Sequence, residues 1–370
     1  CAMHVLPEIP DDFVNMLSAR SGLKPLPAVN ASDAPEVAAE IFKREGVVAV
    51  QGAIHSDQLQ RLRDACTSVM RDIVKHDPEG FGSRGPKRYS FGGSSSTRAQ
   101  LHHVEWAALV DVPSVTRVLD AIWESSDYAC VSAGGDFCLA GAPGHQNLHS
   151  DMVGGYSNQN TPMIAVNFLV EDQTPFNGPL RQIPQTQRRH MRFAPQLTEE
   201  PEEWVLSTMC PLPAGTALIR DLRAWHGGTP NISTSNRAMP NAEFVAPFYL
   251  AQAHFATASM PFHIWKQLSE RGKHLSRFLR SDPDETVAAK VQFDMSLGEN
   301  DFFGGVQLHP LFSPCRAALH IPANPVNLDF PEDAEGLLTL PIRKRQRVEQ
   351  QPATTRHLVA KVCPLCLWCC

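Results

Sequence analysis

Met163-Ile164-Ala165-Val166-Asn167-Phe168-Leu169-Val170 is a short apolar run broken by one asparagine. It has the length and the β-branched content of a buried strand rather than of a helix. Thr216-Ala217-Leu218-Ile219 and Phe244-Val245-Ala246-Pro247-Phe248-Tyr249-Leu250 repeat that texture, with Gly or Pro close by. Between about residues 128 and 250 such runs alternate with turn residues. Several short strands at this spacing predict a sandwich, jelly roll or barrel. The 30 prolines also favour a strand-rich and loop-rich body, because proline lacks an N–H and breaks helix interiors.

Helical patterns flank this region. Ser32-Asp33-Ala34-Pro35-Glu36 reads as a helix start, with Ser32 or Asp33 as the cap and Pro35 in the first turn. Val37, Ile41 and Phe42 then predict one apolar face, and Gly46 the stop before a buried strand at Val47-Val48-Ala49-Val50. Ser56 or Asp57 caps a second helix, in which Leu59, Leu62, Ala65, Cys66, Val69, Met70 and Ile73 recur at helical period. Further helical character is expected over Val115 to Trp123 and over residues 262–281. The Gly- and Ser-rich stretch 78–100 reads as a long loop, either a lid or binding loop or a plain surface excursion. Its Arg84, Lys87, Arg88 and Arg98 read as surface charge that could also meet an anion. No internal repeat is visible.

The ends differ from the middle. Residues 1–33 read as an extended arm, 34–325 as one large domain, and 326–370 as a disordered tail. The tail carries the basic run Arg343-Lys344-Arg345-Gln346-Arg347 and four crowded thiols, Cys363, Cys366, Cys369 and Cys370. These thiols lack the two separated pairs of a structural zinc site. The other six cysteines are scattered, as reduced buried thiols in a cytosolic protein would be. No apolar run is long enough for a transmembrane helix and no signal-peptide pattern is visible, so a cytoplasmic protein is expected. With 43% hydrophobic residues and a formal net charge of −6, the chain can bury a large core and lacks the basic footprint of a nucleic-acid binder.

The chemistry begins at His149-Ser150-Asp151. Residues i and i+2 of a strand share a face, so both side chains can reach one metal ion. A third donor must come from elsewhere, and His226 stands just after the strand at Ala217–Ile219. Two imidazoles and one carboxylate form the facial set that suits non-haem iron(II) and leaves positions open for a bidentate co-substrate and dioxygen. The same donors also make up a known catalytic zinc set, so a zinc hydrolase is an alternative, as is a non-catalytic jelly-roll binding protein. Arg237 follows His226 by eleven residues and can offer a bidentate guanidinium to a carboxylate. Asn231 and Ser233 suit the turn between them.

These residues resemble the phytanoyl-CoA dioxygenase family. The similarity lies in His149 and Asp151, in His226 followed by Asn231, Ser233 and Arg237, and in Asn177-Gly178-Pro179-Leu180-Arg181-Gln182-Ile183-Pro184. It extends to the helix-to-strand passage Ile41 to Val50. A departure is Gln185-Thr186-Gln187 where the family has a Gly-Ser-His-like turn, with His190 three residues later.

The resemblance implies a mainly β protein with flanking helices, a double-stranded β-helix of the jelly-roll, cupin-like kind. It implies iron(II) on His149, Asp151 and His226, with Arg237 and Ser233 on 2-oxoglutarate and Gln146 and Asn167 facing the co-substrate. Dioxygen and a small-molecule or acyl substrate are the implied partners, with ascorbate as a supporting reductant and succinate and carbon dioxide as products. Related halogenases resemble this site but have a small residue in place of the carboxylate, so Asp151 points to hydroxylation or desaturation. Substrate identity and oligomeric state are not legible.

Overall fold

The computed structural model describes residues 26–91, 100–146, 148–152, 160–188, 212–250 and 259–285, with the backbone alone at 145 and at 306–308. Seven strands form the main sheet: β1 (Ala28–Asn30), β2 (Val47–Gln51), β3 (Arg88–Phe91), β4 (Ala129–Cys138), β6 (Met163–Phe168), β8 (Ala217–Asp221) and β10 (Arg237–Val245). Their spatial order is β1-β2-β8-β6-β10-β4-β3. The opposing strands are short: β5 (Gly144–Gln146), β7 (Leu180–Gln182), β9 (His226–Gly228) and β11 (Val306–Leu308). β7 pairs with β9 and β11 with β5. Bridges at Ala142–Asn231 and His149–His226 lay the β5 segment beside β9.

From β4 to β10 the chain changes sheet at every step, four strands to the main sheet and three to the opposing one. That alternation is the winding of a double-stranded β-helix, mainly β with helices on one flank. It follows from the alternation of side chains along each strand, which gives the sheet two faces that must both be covered.

The outer face is apolar. Ile164, Val166 and Phe168 of β6 and Ala242 and Phe244 of β10 join one large cluster with Phe42, Leu62, Val69, Val115 and Leu119. The latter residues come from α1 (Pro35–Glu45), α2 (Ser56–His76) and α4 (Pro113–Trp123), which follows the short α3 (Val104–Ala107). Phe168 and Phe244 are wholly buried, and removing such a side chain from water contributes roughly 1.5–3 kcal/mol. Trp106 of α3 is also fully buried and donates its indole N–H to Gly134 O at 2.7 Å.

Several local expectations shift. α1 starts at Pro35 with Ala34 in the cap position and no side-chain cap. Asp33 instead accepts from the Asn30 N–H, closing a turn. Ala38, Ala39 and Phe42 are the buried residues of α1, while Val37 is 48% exposed. α2 has His55 at its cap position, again without a side-chain bond, so neither Ser56 nor Asp57 caps it. Gly46 ends α1 as expected, in a left-handed conformation (φ 76°). β1 lies within the stretch expected as an arm and pairs parallel to β2.

The long-loop reading of 78–100 changes in part. Arg88–Phe91 is an edge strand on β4, and residues 92–99, with Arg98, lie outside the described residues. The strand expected over Phe244–Leu250 is displaced. β10 runs Arg237–Val245, and Pro247 opens a 3-10 turn over 247–250, because proline cannot donate to the ladder. The helical stretch 262–281 resolves into α5 (Phe262–Trp265) and α6 (Glu270–Leu275). Cys66, Cys130 and Cys138 are free and buried. The Cys-rich tail and His190 lie outside the described residues. No helix among the described residues is long and apolar enough to cross a membrane.

Candidate metal centre

The three donors expected from the sequence converge. His149, Asp151 and His226 each offer a ligand atom, and these atoms lie within 4.8 Å of one another. His226 Nε2 is 3.2 Å from Asp151 Oδ2, and His149 Nε2 is 3.6 Å from Asp151 Oδ1. The two imidazole rings stand 4.4 Å apart between centroids. Both histidines are buried, and Asp151 is partly so.

The route to this geometry differs from the one expected. His149 and Asp151 do not share a strand face, because the backbone leaves the sheet in a bend at 151–152. His149 instead exchanges two backbone bonds with His226, at 3.0 and 2.9 Å. The Asp151 N–H donates to Leu222 O, and Ser150 Oγ donates to Met152 O. The ligand loop is thus anchored to the segment leading into His226. On that segment Arg223 forms an ion pair with buried Asp221 at 2.7 Å. His226 Nδ1 lies 3.1 Å from Ala224 O. A proton on Nδ1 would leave Nε2 as the free ligand atom, the usual arrangement behind a metal-bound histidine.

Burial raises the Asp151 pKa. The charge and hydrogen bond of His226, then His149 and Arg220, outweigh it and hold the carboxyl well below the usual range. The neighbouring Glu243 behaves in the opposite way. Burial pushes its carboxyl up to about 7, Asp151 adds to the rise, and Arg220 opposes it.

A second feature lies along the interior. Arg237 opens β10, is 2% exposed, and donates Nε to Gly178 O and Nη1 to Asp136 O. Together with Gln146, Gly228, Arg88 and Met239 it lines one cavity. Gln146 accepts from the Gly228 N–H at 3.0 Å, which turns its amide N–H₂ away from the strand. Burial lowers the Arg88 pKa, Cys138 opposes the shift, and the nearby charge of Arg237 adds to it. Guanidiniums crowded in this way favour an anionic ligand.

The expected residues therefore separate. His149, Asp151 and His226 form one cluster; Gln146 and Arg237 share the cavity. Asn167 is buried, and its Oδ1 accepts from Arg220 Nε at 2.7 Å. Ser233 lies in the turn between β9 and β10, where its hydroxyl donates to Asn231 Oδ1 at 2.7 Å. It is not among the residues lining the Arg237 cavity. Sequence reasoning missed Arg181, Gln182, Arg220 and Glu243, and it took Arg88 for surface charge. Arg88 is 4% exposed and donates to Gly144 O and Thr229 O. A usable signal was present: Arg220 continues the apolar run Ala217-Leu218-Ile219, and Arg181-Gln182 sits between Leu180 and Ile183. A polar residue in a buried strand is seldom idle.

A double-stranded β-helix with two imidazoles and a carboxylate gathered inside it defines a class of metal-binding protein. The family model for phytanoyl-CoA dioxygenase (PhyH) matches residues 42–239, more than half of the 370-residue chain. The chain belongs to that family, and so to the iron- and 2-oxoglutarate-dependent oxygenases. No curated protein matches. Among solved structures, the chain is similar to the non-haem α-ketoglutarate-dependent carbocyclase SnoK from nogalamycin biosynthesis, at 15% identity and a TM-score of 0.46. That match covers 60% of this chain and 87% of the other. EctD from S. alaskensis is similar at 19% identity and a TM-score of 0.43, over 61% of this chain and 83% of the other. HygX from Streptomyces hygroscopicus, solved with nickel and 2-oxoglutarate bound, is similar at 13% identity and a TM-score of 0.44, over 57% and 87%.

Proposed function

We propose that this protein hydroxylates or desaturates an aliphatic C–H bond of a small-molecule or acyl substrate, with His149, Asp151 and His226 holding iron(II). The observation that carries the proposal is the convergence of those three donors within 4.8 Å. The donor set fits the metal: two neutral nitrogens and one carboxylate oxygen leave room for a chelating 2-oxo acid and dioxygen. Bound iron supplies the redox chemistry by which 2-oxoglutarate and dioxygen yield succinate, carbon dioxide and an oxidised substrate.

The chain's own residues do the positioning. Ala224 O orients the His226 ring, and the Ser150 and Leu222 contacts hold Asp151 against the two imidazoles. Arg237 grips the distal carboxylate of 2-oxoglutarate, with the Gln146 amide beside it. The buried charge of Arg88 strengthens that grip. Leu180 and Met239 wall the cavity and help to keep water out.

The test is direct. Purified protein under argon, given iron(II) and 2-oxoglutarate, is expected to show the visible charge-transfer absorption of the chelate. Admitting oxygen with ascorbate and a panel of acyl-CoAs, amino acids and small terpenoids is expected to release succinate. A chain that binds neither metal nor 2-oxoglutarate would overturn the reading. Oxygen-independent hydrolysis by the zinc-loaded protein would replace it.

A further inference from the structure

Arg220 lies on β8, opposite Ala165 of β6 and Val47 of β2 in the sheet register. It is 5% exposed and makes no ion pair among the described residues. Its bonds go to neutral amides: Nε donates to Asn167 Oδ1 at 2.7 Å, and Nη1 reaches Gln182 Oε1 at 3.5 Å. The second contact spans the interior, since Gln182 belongs to β7 in the opposing sheet. Gln182 is paired directly with His226, so their side chains share a face.

A guanidinium has donors only, so it fixes the orientation of the Asn167 amide and faces the oxygen of the Gln182 amide at a longer distance. Their oxygens turn towards Arg220 and their N–H₂ groups turn away from it. Asn167 Nδ2 and Gln182 Nε2 are buried and have no partner. Arg220 Nη2 likewise makes no hydrogen bond among the described residues. The cluster thus presents N–H groups and a full positive charge, with its acceptors already used. Its acidic neighbours are Asp151, one of the three gathered donors, and Glu243, and neither forms an ion pair with it among the described residues.

We propose that Arg220, Asn167 and Gln182 form a carboxylate-binding cradle beside the metal centre, and that it holds an acid group of the substrate. The inference rests on the function proposed above and narrows it: the substrate is a small carboxylic acid, oxidised at an aliphatic carbon near its carboxylate. An acceptor-only anion offers oxygens to these unpartnered amide N–H₂ groups next to a guanidinium. The other source of a carboxylate is 2-oxoglutarate itself, for which Arg237 provides a separate guanidinium.

The experiment uses the full chain under argon with iron(II) and saturating 2-oxoglutarate, and reads the melting temperature against acetate, propionate and acetamide. The parent is expected to bind the two carboxylates at least tenfold more tightly than the amide. Arg220→Gln is expected to lose that preference. Asn167→Asp places a carboxylate against Arg220; it is expected to melt above the parent without ligand and to ignore acetate. This second variant carries the test should Arg220→Gln not fold.

The visible absorption separates the two sources. Arg220→Gln is expected to hold 2-oxoglutarate within twofold of the parent, and Arg237→Gln to lose it more than tenfold. The reverse pattern would give the cradle to the co-substrate and overturn the substrate assignment. Equal binding of acetate and acetamide to the parent, or a preference that survives in both cradle variants, would also overturn it. A parent without any chelate absorption would sink the functional reading instead, while acetate against acetamide on the metal-free chain still decides the cradle.

Discussion

The two faces of the main sheet are made by the same strands and serve opposite ends. On β6, Ile164, Val166 and Phe168 enter the helix-covered cluster, while Asn167 looks into the interior beside Arg220. On β10, Ala242 and Phe244 pack outward, and Arg237, Asn241 and Glu243 share the other face. The outer face fills volume; the inner one spends burial on charge. Arginine is seldom fully buried, yet Arg88, Arg181, Arg220 and Arg237 are all at most 5% exposed. The contrast teaches that a strand with an apolar outer face can carry a polar interior, with the stability of the first offsetting the cost of the second.

Four substitutions would break or sharpen that contrast. The largest effect is expected for His226→Ala on the inner face. It should lower iron(II) affinity by more than roughly a hundredfold, since even residues that only support a ligand cost 10–100-fold. Equilibrium dialysis checks this, and a variant that still retains stoichiometric iron would remove His226 from the centre. On the outer face, Phe244→Ala should cost about 3–5 kcal/mol of stability by urea denaturation. Its folded fraction should still bind one metal, and loss of metal by that fraction would show that the two faces are not separable.

Arg237→Ala comes next. It should weaken 2-oxoglutarate binding by about 2–5 kcal/mol, over tenfold, while metal binding persists. Equal co-substrate affinity in variant and parent would show that the clamp lies elsewhere in the interior. The smallest effect concerns Glu243. Its folded pKa of about 7 lies above the ordinary glutamate value of 4.5, so the folded state binds the proton more tightly. Stability linked to this carboxyl is therefore full below about pH 4.5 and is lost as the pH rises through 7. Glu243→Gln should be more stable than the metal-free parent by about 1–3 kcal/mol above pH 7. The two should converge near pH 4. A difference that does not vary with pH would mean that the carboxyl is not desolvated.

Legibility followed the range of the interaction. The strands at Met163–Phe168 and Ala217–Asp221 and the helix at Pro113–Trp123 were readable within a few residues, because alternation and helical period are local properties. The caps of α1 and α2 were misplaced by one or two residues, since several short polar residues compete at each helix start. β10 was shifted because apolar content says little about where Pro247 ends the ladder. Arg88 was misjudged because a Gly-rich neighbourhood does not reveal that the strand folds back onto β4.

By itself, the sequence determined the set of chemical groups: two histidines and an aspartate, an arginine after a turn, and enough strand pattern for a jelly roll. Only the tertiary structure decided which of these groups meet. Only it brought Gln182 across the interior to Arg220 and bonded the Ser233 hydroxyl to Asn231 in the turn before β10. The physical reason is that ligand convergence depends on pairing between strands far apart in the chain, such as β7 with β9. No local periodicity encodes that pairing.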